Sequence, residues 1–129
     1  MNVQSEGRPP FRRVLVVDDD PIFREMIHYV LSQQNIDVKT APDGPTALDM
    51  LATEPFDILF VDFQMPGMNG LEVAAAARRL HATLPIALLT GSVDALPPAD
   101  LRAAGISQMF TKPFDLDELM HWINSHAPP

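Results

Sequence analysis

Three continuous apolar runs punctuate the chain: Val14-Leu15-Val16-Val17, Ile58-Leu59-Phe60-Val61 and Ile86-Ala87-Leu88-Leu89. An unbroken apolar run suits a strand covered on both faces, the situation inside a parallel sheet flanked by helices. These runs predict central strands. Two weaker runs, Val38-Lys39-Thr40-Ala41 and Gln108-Met109-Phe110-Thr111, mix polar with apolar residues and predict sheet edges. Helical periods fall between them. Ile22, Phe23, Met26, Ile27, Val30 and Leu31 form an i, i+4 stripe, with Asp20 as its cap and Pro21 at the first position. Pro45–Ala52 predicts a second, short helix introduced by Asp43-Gly44, and the Ala-rich segment Gly70–His81 predicts a third. Pro97-Pro98 forbids helix before that point, so the fourth helix is confined to Pro98–Ala104 and closed by Gly105. Leu116, Leu119, Met120 and Ile123 mark the fifth, where Asp115 and Glu118 have the spacing of a capping box.

Five βα units imply right-handed crossovers and helices on both sides of one parallel sheet. With the weak runs at the edges, the expected α/β architecture is a flavodoxin-like doubly wound sheet of strand order 2-1-3-4-5, with its ligand site at the carboxyl ends of strands one and three. Residues 12–125 are expected to form the single folded domain, with 1–11 a flexible tail and 126–129 a second tail rich in proline. At 129 residues, 47% of them hydrophobic, the chain is long enough for one core without metal or disulfide staples, and it contains no cysteine. The net charge of −8 argues against direct binding to nucleic acid or an anionic membrane surface, because only nine basic residues exist and they are scattered. No apolar stretch reaches a membrane span and no signal peptide is evident, so a cytoplasmic address is expected.

Chemistry concentrates where the strands end. Strand one leads into Asp18-Asp19-Asp20, strand three into Asp62, strand four into Thr90-Gly91 and strand five into Lys112-Pro113. Parallel strands share a direction, so these residues converge at one sheet edge despite their separation along the chain. Asp20 reads as the helix cap. The other carboxylates repel one another by about 3 kcal/mol per pair at ~5 Å and an effective dielectric of 20. A hard divalent cation offsets this, and Mg²⁺ favours one or two carboxylates with positions left open for a phosphoryl oxygen. Lys112, one of two lysines in the chain, brings a fixed ammonium to the same rim. A carboxylate nucleophile, a metal, an ammonium and a hydroxyl donor together suit phosphoryl transfer.

The segments VLVVDDDP, DILFVDFQMPGMNGLEV, LLTG, AAG and TKPF occur in that order, and with them the sequence resembles the receiver domain of two-component response regulators over about Arg13–Ile123. The resemblance implies that Asp62 accepts a phosphoryl group from the phosphohistidine of a histidine kinase or histidine phosphotransfer protein. It implies that Asp19 and Asp62 ligate Mg²⁺ directly, Asp18 acts through water, and the backbone carbonyl of Gln64 is a further ligand. Thr90 would donate its hydroxyl to the phosphoryl group, Lys112 would pair with it, and the Lys112-Pro113 bond would be cis. The output to a downstream protein would be the face of the fourth helix, fifth strand and fifth helix. Such a domain assists its own phosphorylation and is not a turnover enzyme.

Three features depart from the family pattern. Met109 stands where an aromatic residue is common, Gln64 and Ser92 flank the phosphoryl position, and the diproline shortens the fourth helix. A receiver-like interaction module working without phosphate is the alternative they leave open. An aspartate-nucleophile phosphatase would need an acid where Gln64 stands, and an FMN carrier would need a hydroxyl-rich loop in place of three acids. His28, His81, His121 and His126 have no metal-ligand spacing and are expected to be surface or structural. Trp122 and Met120 suit either a partner surface or the core, and Phe63 and Met65 are expected to cover the site or its helix and not to bind a cofactor.

Overall fold

The structure, a computed structural model, describes residues 12–91 and 96–126. The expected tail at 1–11, the end of the chain from Ala127 and the position of Ser92 lie outside them. The elements alternate in chain order: β1 (Arg13–Val17), α1 (Pro21–Ser32), β2 (Asp37–Ala41), α2 (Gly44–Thr53), β3 (Ile58–Asp62), α3 (Gly70–Leu80), β4 (Ile86–Thr90), α4 (Pro98–Ala103), β5 (Gln108–Thr111) and α5 (Leu116–Ser125). All strand pairs are parallel and the sheet order is β2-β1-β3-β4-β5. This is the flavodoxin-like fold that the apolar runs predict.

Side chains alternate across the sheet with period two. Leu15, Val17, Leu59, Val61, Ile86 and Leu88 enter one core layer with Ala47 and Leu51 of α2 and Val73, Ala74 and Ala77 of α3. Val14, Val16, Ile58, Phe60, Ala87 and Leu89 enter the other with Ile27 and Leu31 of α1 and Leu119, Trp122 and Ile123 of α5. Every residue of β3 and β4 is buried, whereas β2 and β5 are partly exposed. The polar residues in the two weaker runs therefore sit where water reaches them. Trp122 is a core residue: its ring lies 5.5 Å from Phe60 and 6.0 Å from Phe110, edge-on to both.

Helix ends follow local chemistry, with two differences from expectation. Asp20 accepts from the Ile22 N–H at 2.9 Å and Asp43 from the Thr46 N–H at 2.8 Å. At α5, however, Asp115 accepts from the Asp117 N–H at 2.8 Å instead of forming a capping box with Glu118. The capping box belongs to α3, where Asn69 and Glu72 exchange two 2.9 Å bonds. The apolar stripe of α1 is also wider than its buried face. Ile27 and Leu31 are buried, but Ile22 is 77% and Met26 42% exposed. At about 100° per residue those two positions point well away from Leu31. The diproline has its expected effect: α4 is six residues long, has no side-chain cap bond at Pro97 and buries none of its residues. Gly105 closes it at φ 81°, and Arg78 of α3 donates to the Gly105 carbonyl at 2.5 Å.

Phe60 fills the centre of the second layer at 1% exposure. Replacing it by alanine is expected to lower stability by about 3–5 kcal/mol, read as a lower urea midpoint with an unchanged m-value.

Candidate functional site

The strand ends bring together the residues the sequence singles out. Asp18 follows β1 directly, and its N–H donates to the Ala41 carbonyl, which fixes the first acidic residue at the sheet rim. Asp62 is the last residue of β3, in register with Leu89 of β4. Carboxylate oxygens of Asp18, Asp19 and Asp62 lie within 4.8 Å of one another. Asp18 is fully buried, Asp62 is 7% exposed, and Asp19 faces water. Three acids with this mixture of burial and access form an oxygen donor set of the kind hard divalent cations take.

Lys112 spans the two buried acids. Its Nζ is 2.6 Å from Asp18 Oδ2 and 3.2 Å from Asp62 Oδ1. The backbone puts it there: the Lys112 N–H donates to the Thr90 carbonyl at 2.8 Å, and the Lys112-Pro113 peptide is cis. Thr90 itself is buried at the end of β4. Gln64 stands exposed in the loop leaving β3, two residues beyond Asp62. Met65 is buried in the first core layer, and Phe63 is partly buried against that layer.

Electrostatics follow from this packing. Burial, and next the Asp18 charge, push the Asp62 carboxyl above the usual carboxylate range; Lys112 pulls the other way and Asp19 adds a smaller upward push. Burial works against the Lys112 ammonium, but its hydrogen bond to Asp18 and the charges of Asp18 and Asp62 outweigh it and raise the pKa. The site therefore strains to hold its negative charge and binds its one cation firmly.

Other supports carried no evident signal. Phe23, read from sequence only as part of a core stripe, places its ring 4.3 Å below the Lys112 ammonium and meets Phe114 edge-on at 6.0 Å. Arg24 donates to the Asp18 carbonyl at 2.8 Å. Both lie within a turn of the acidic run, which is the only hint the sequence offered. Gly70 starts α3 against the site: a Cβ there would stand 2.6 Å from the Asp62 carbonyl oxygen and 2.8 Å from the Phe63 Cα. The four histidines take no part. His81 Nε2 bonds the Leu51 carbonyl at 2.7 Å and His126 Nδ1 the Trp122 carbonyl at 2.9 Å, both structural contacts.

The profile of the response regulator receiver domain matches residues 14–124, which include Asp18, Asp19, Asp62, Thr90 and Lys112. The chain belongs to that family. The receiver is 40% identical over 108 residues to the response regulator MprA of Mycobacterium avium, a match covering 84% of this chain and 47% of that protein. The chain spans about a quarter to about half of the length of the curated relatives it matches. In three dimensions it is similar to the chemotaxis protein CheY4 of Vibrio cholerae, with TM-score 0.82, 30% identity, and 91% and 99% of the two chains covered. It is equally similar to the response regulator TrrA of Thermotoga maritima, solved in complex with Mg(2+)-BeF, with TM-score 0.83, 31% identity, and 91% and 100% covered. Receivers are signalling domains of two-component systems, where they partner with histidine kinases and bind Mg²⁺ at an acidic cluster such as this one. No helix among the described residues is long and apolar enough to cross a membrane.

Two substitutions test the geometry. Because the folded-state pKa of Asp62 is raised, its ionised form destabilises the fold, increasingly as pH climbs from the unfolded value near 4 through the folded one. Asp62→Asn is therefore expected to raise Tm at pH 7 in metal-free buffer, and the gain should vanish below about pH 4, where the wild-type carboxyl is itself neutral. Gly70→Ala forces a methyl group into backbone and should cost about 1–3 kcal/mol, measured by chemical denaturation.

Proposed function

We propose that this receiver takes a phosphoryl group on Asp62 from a phosphohistidine of a histidine kinase or histidine phosphotransfer protein. An Asp62 carboxylate oxygen attacks phosphorus, the phosphorus–nitrogen bond breaks, and the electron pair returns to the imidazole, leaving an acyl phosphate on Asp62. The observation that carries this reading is the burial of Asp62 at the rim, 3.2 Å from a lysine and within 4.8 Å of two further acids. Asp19 and Asp62 are the direct ligands we assign to Mg²⁺, with Asp18 acting through water and the Gln64 carbonyl as a further donor. When bound, the metal neutralises charge on the transferring phosphoryl oxygens. Lys112 pairs with the phosphoryl group and holds Asp18 in place, and the Thr90 hydroxyl donates to a second phosphoryl oxygen. Water attack on phosphorus later restores the carboxylate. The Mg(2+)-BeF complex of the T. maritima relative supports the metal assignment.

The signal follows from added charge. A phosphoryl group brings about −1.5 to −2 charge and three acceptor oxygens, which draw Thr90 inward. The Thr90 carbonyl accepts from the Lys112 N–H just past β5, and α4 beyond it is held at its C-terminal end by Arg78 with no cap bond at the other. The face of α4, β5 and α5 is thus the output surface. Met109, half-buried against the first core layer, occupies the position common for an aromatic residue; its flexible thioether fills the space without a ring or hydroxyl. That substitution is the observation favouring a second reading, an interaction module that works without phosphate.

Incubation with acetyl phosphate and Mg²⁺ followed by intact-mass measurement separates the two. One added phosphoryl group is expected, absent without Mg²⁺ and absent in Asp62→Ala. Equal labelling of Asp62→Ala would refute the phosphoacceptor, and an unlabelled wild type would favour the second reading. Mg²⁺ at a hundred times its Kd should also stabilise the wild type by about 2.7 kcal/mol, and Asp62→Ala by less.

A further inference from the structure

Lys112 carries its ammonium on a flexible four-carbon stem, so something besides its backbone must keep that charge between Asp18 and Asp62. Nζ lies 2.6 Å from Asp18 Oδ2 and 3.2 Å from Asp62 Oδ1. A further contact is the face of the Phe23 ring, whose centroid is 4.3 Å from the same nitrogen. An aromatic face carries negative potential and attracts a cation at this distance. The ring is itself held. It belongs to the first turn of α1, where Asp20 accepts from the Ile22 N–H and Arg24 donates to the Asp18 carbonyl at 2.8 Å. Phe114 meets it edge-on at 6.0 Å.

We propose that Phe23 is a positioning residue for phosphoryl transfer: its ring face holds the Lys112 ammonium on Asp18 and Asp62, where the ammonium meets an arriving phosphoryl oxygen. The proposal deepens the reading of Asp62 as phosphoacceptor and rests on it for that role. Phe23 acts through Lys112 and touches no reacting atom. Without the ring face, water and other rotamers compete for the ammonium, and the charge must be repositioned before each transfer. An aliphatic side chain fills space there but has no such potential. Shape and ring electrostatics can be varied separately, because ring fluorine withdraws charge from the aromatic face while nearly preserving its outline. Phe23 is also half-buried and borders an open cavity of about 520 Å³ with Met26, Val30 and Phe114, so Phe23→Leu leaves no closed void in the core.

The chain has two lysines, and Lys39 is exposed on β2, 3.2 Å from Glu54. In NMR spectra of lysine-labelled protein without Mg²⁺ or phosphate, the ring current is expected to move the Lys112 ε-methylene protons upfield of those of Lys39, with Lys39→Arg assigning the pair. Phe23→Leu should abolish that displacement and Phe23→Tyr should keep it. Rates of labelling by acetyl phosphate with Mg²⁺ are then followed by intact mass for protein with phenylalanine, or its mono-, di- or trifluoro form, at position 23. A stepwise fall is expected, reaching about five- to tenfold with three fluorines, as suits a partly desolvated cation–π contact. Phe23→Leu should fall as far, and Phe23→Tyr should stay near wild type. The same series at Phe56, whose ring carries the Arg13 guanidinium at 5.1 Å, should change neither readout. Coincident resonances of the two lysines would overturn the proposal. So would a flat fluorine series beside a slow Phe23→Leu, which makes the ring a filler of space only. A wild type that takes no phosphoryl group overturns the phosphoacceptor reading and the role in transfer with it; a displaced Lys112 resonance in that case traces the failure to Asp62 and not to Phe23.

Discussion

Asp18 and Asp62 are both withdrawn from water at the ends of neighbouring parallel strands, and the Lys112 ammonium, 2.6 and 3.2 Å away, compensates part of the resulting repulsion. Isolated buried carboxylates are costly because water no longer solvates them. One ammonium cannot neutralise three acids. Burial and the Asp18 charge raise the Asp62 carboxyl in spite of Lys112, and clustered oxygens left short of positive charge in this way are the kind of donor set that hard divalent cations take. Stability and function are opposed at this one place.

The rest of the molecule holds that conflict still. β3 and β4 are wholly buried, so the residues at their ends inherit the rigidity of a packed core. Gly70 lets α3 press against the Asp62 carbonyl, Arg24 ties down the carbonyl of Asp18, and Phe23 supports the ammonium from below. At the opposite end of the sheet Arg13 bonds Asp37 at 2.9 Å, Glu54 at 3.1 Å and the Pro55 carbonyl at 2.7 Å, and it lies over the Phe56 ring, joining β1 to β2 and the end of α2. Compliance is concentrated in α4, which is short, lacks a side-chain cap bond at its start and has no buried residue. A change at Thr90 thus meets little resistance there and much in the sheet.

Much of this was legible in one dimension because each feature depends on local order. The unbroken runs around Leu15, Phe60 and Leu88 announced buried parallel strands, Asp20 and Asp43 announced helix starts, and Pro97-Pro98 announced a shortened α4. The acidic rim was legible for a different reason: parallel strands of one sheet must end on one side, so Asp18, Asp62, Thr90 and Lys112 meet whatever lies between them. The misreadings arose where two local options were nearly equal. Asp115 had both Asp117 and Glu118 amides within reach, and the α1 stripe contained more apolar residues than the sheet has room to cover.

Sequence by itself determined the strand order, the identity of the converging carboxylates and the family to which the chain belongs, since these rest on periodicity and on residue types at fixed places. Only the tertiary structure decided that Lys112 bridges Asp18 and Asp62, that Phe23 lies beneath it and that Trp122 turns inward. Those are contacts between side chains distant along the chain, and their geometry is set by how helices rotate and settle on the sheet.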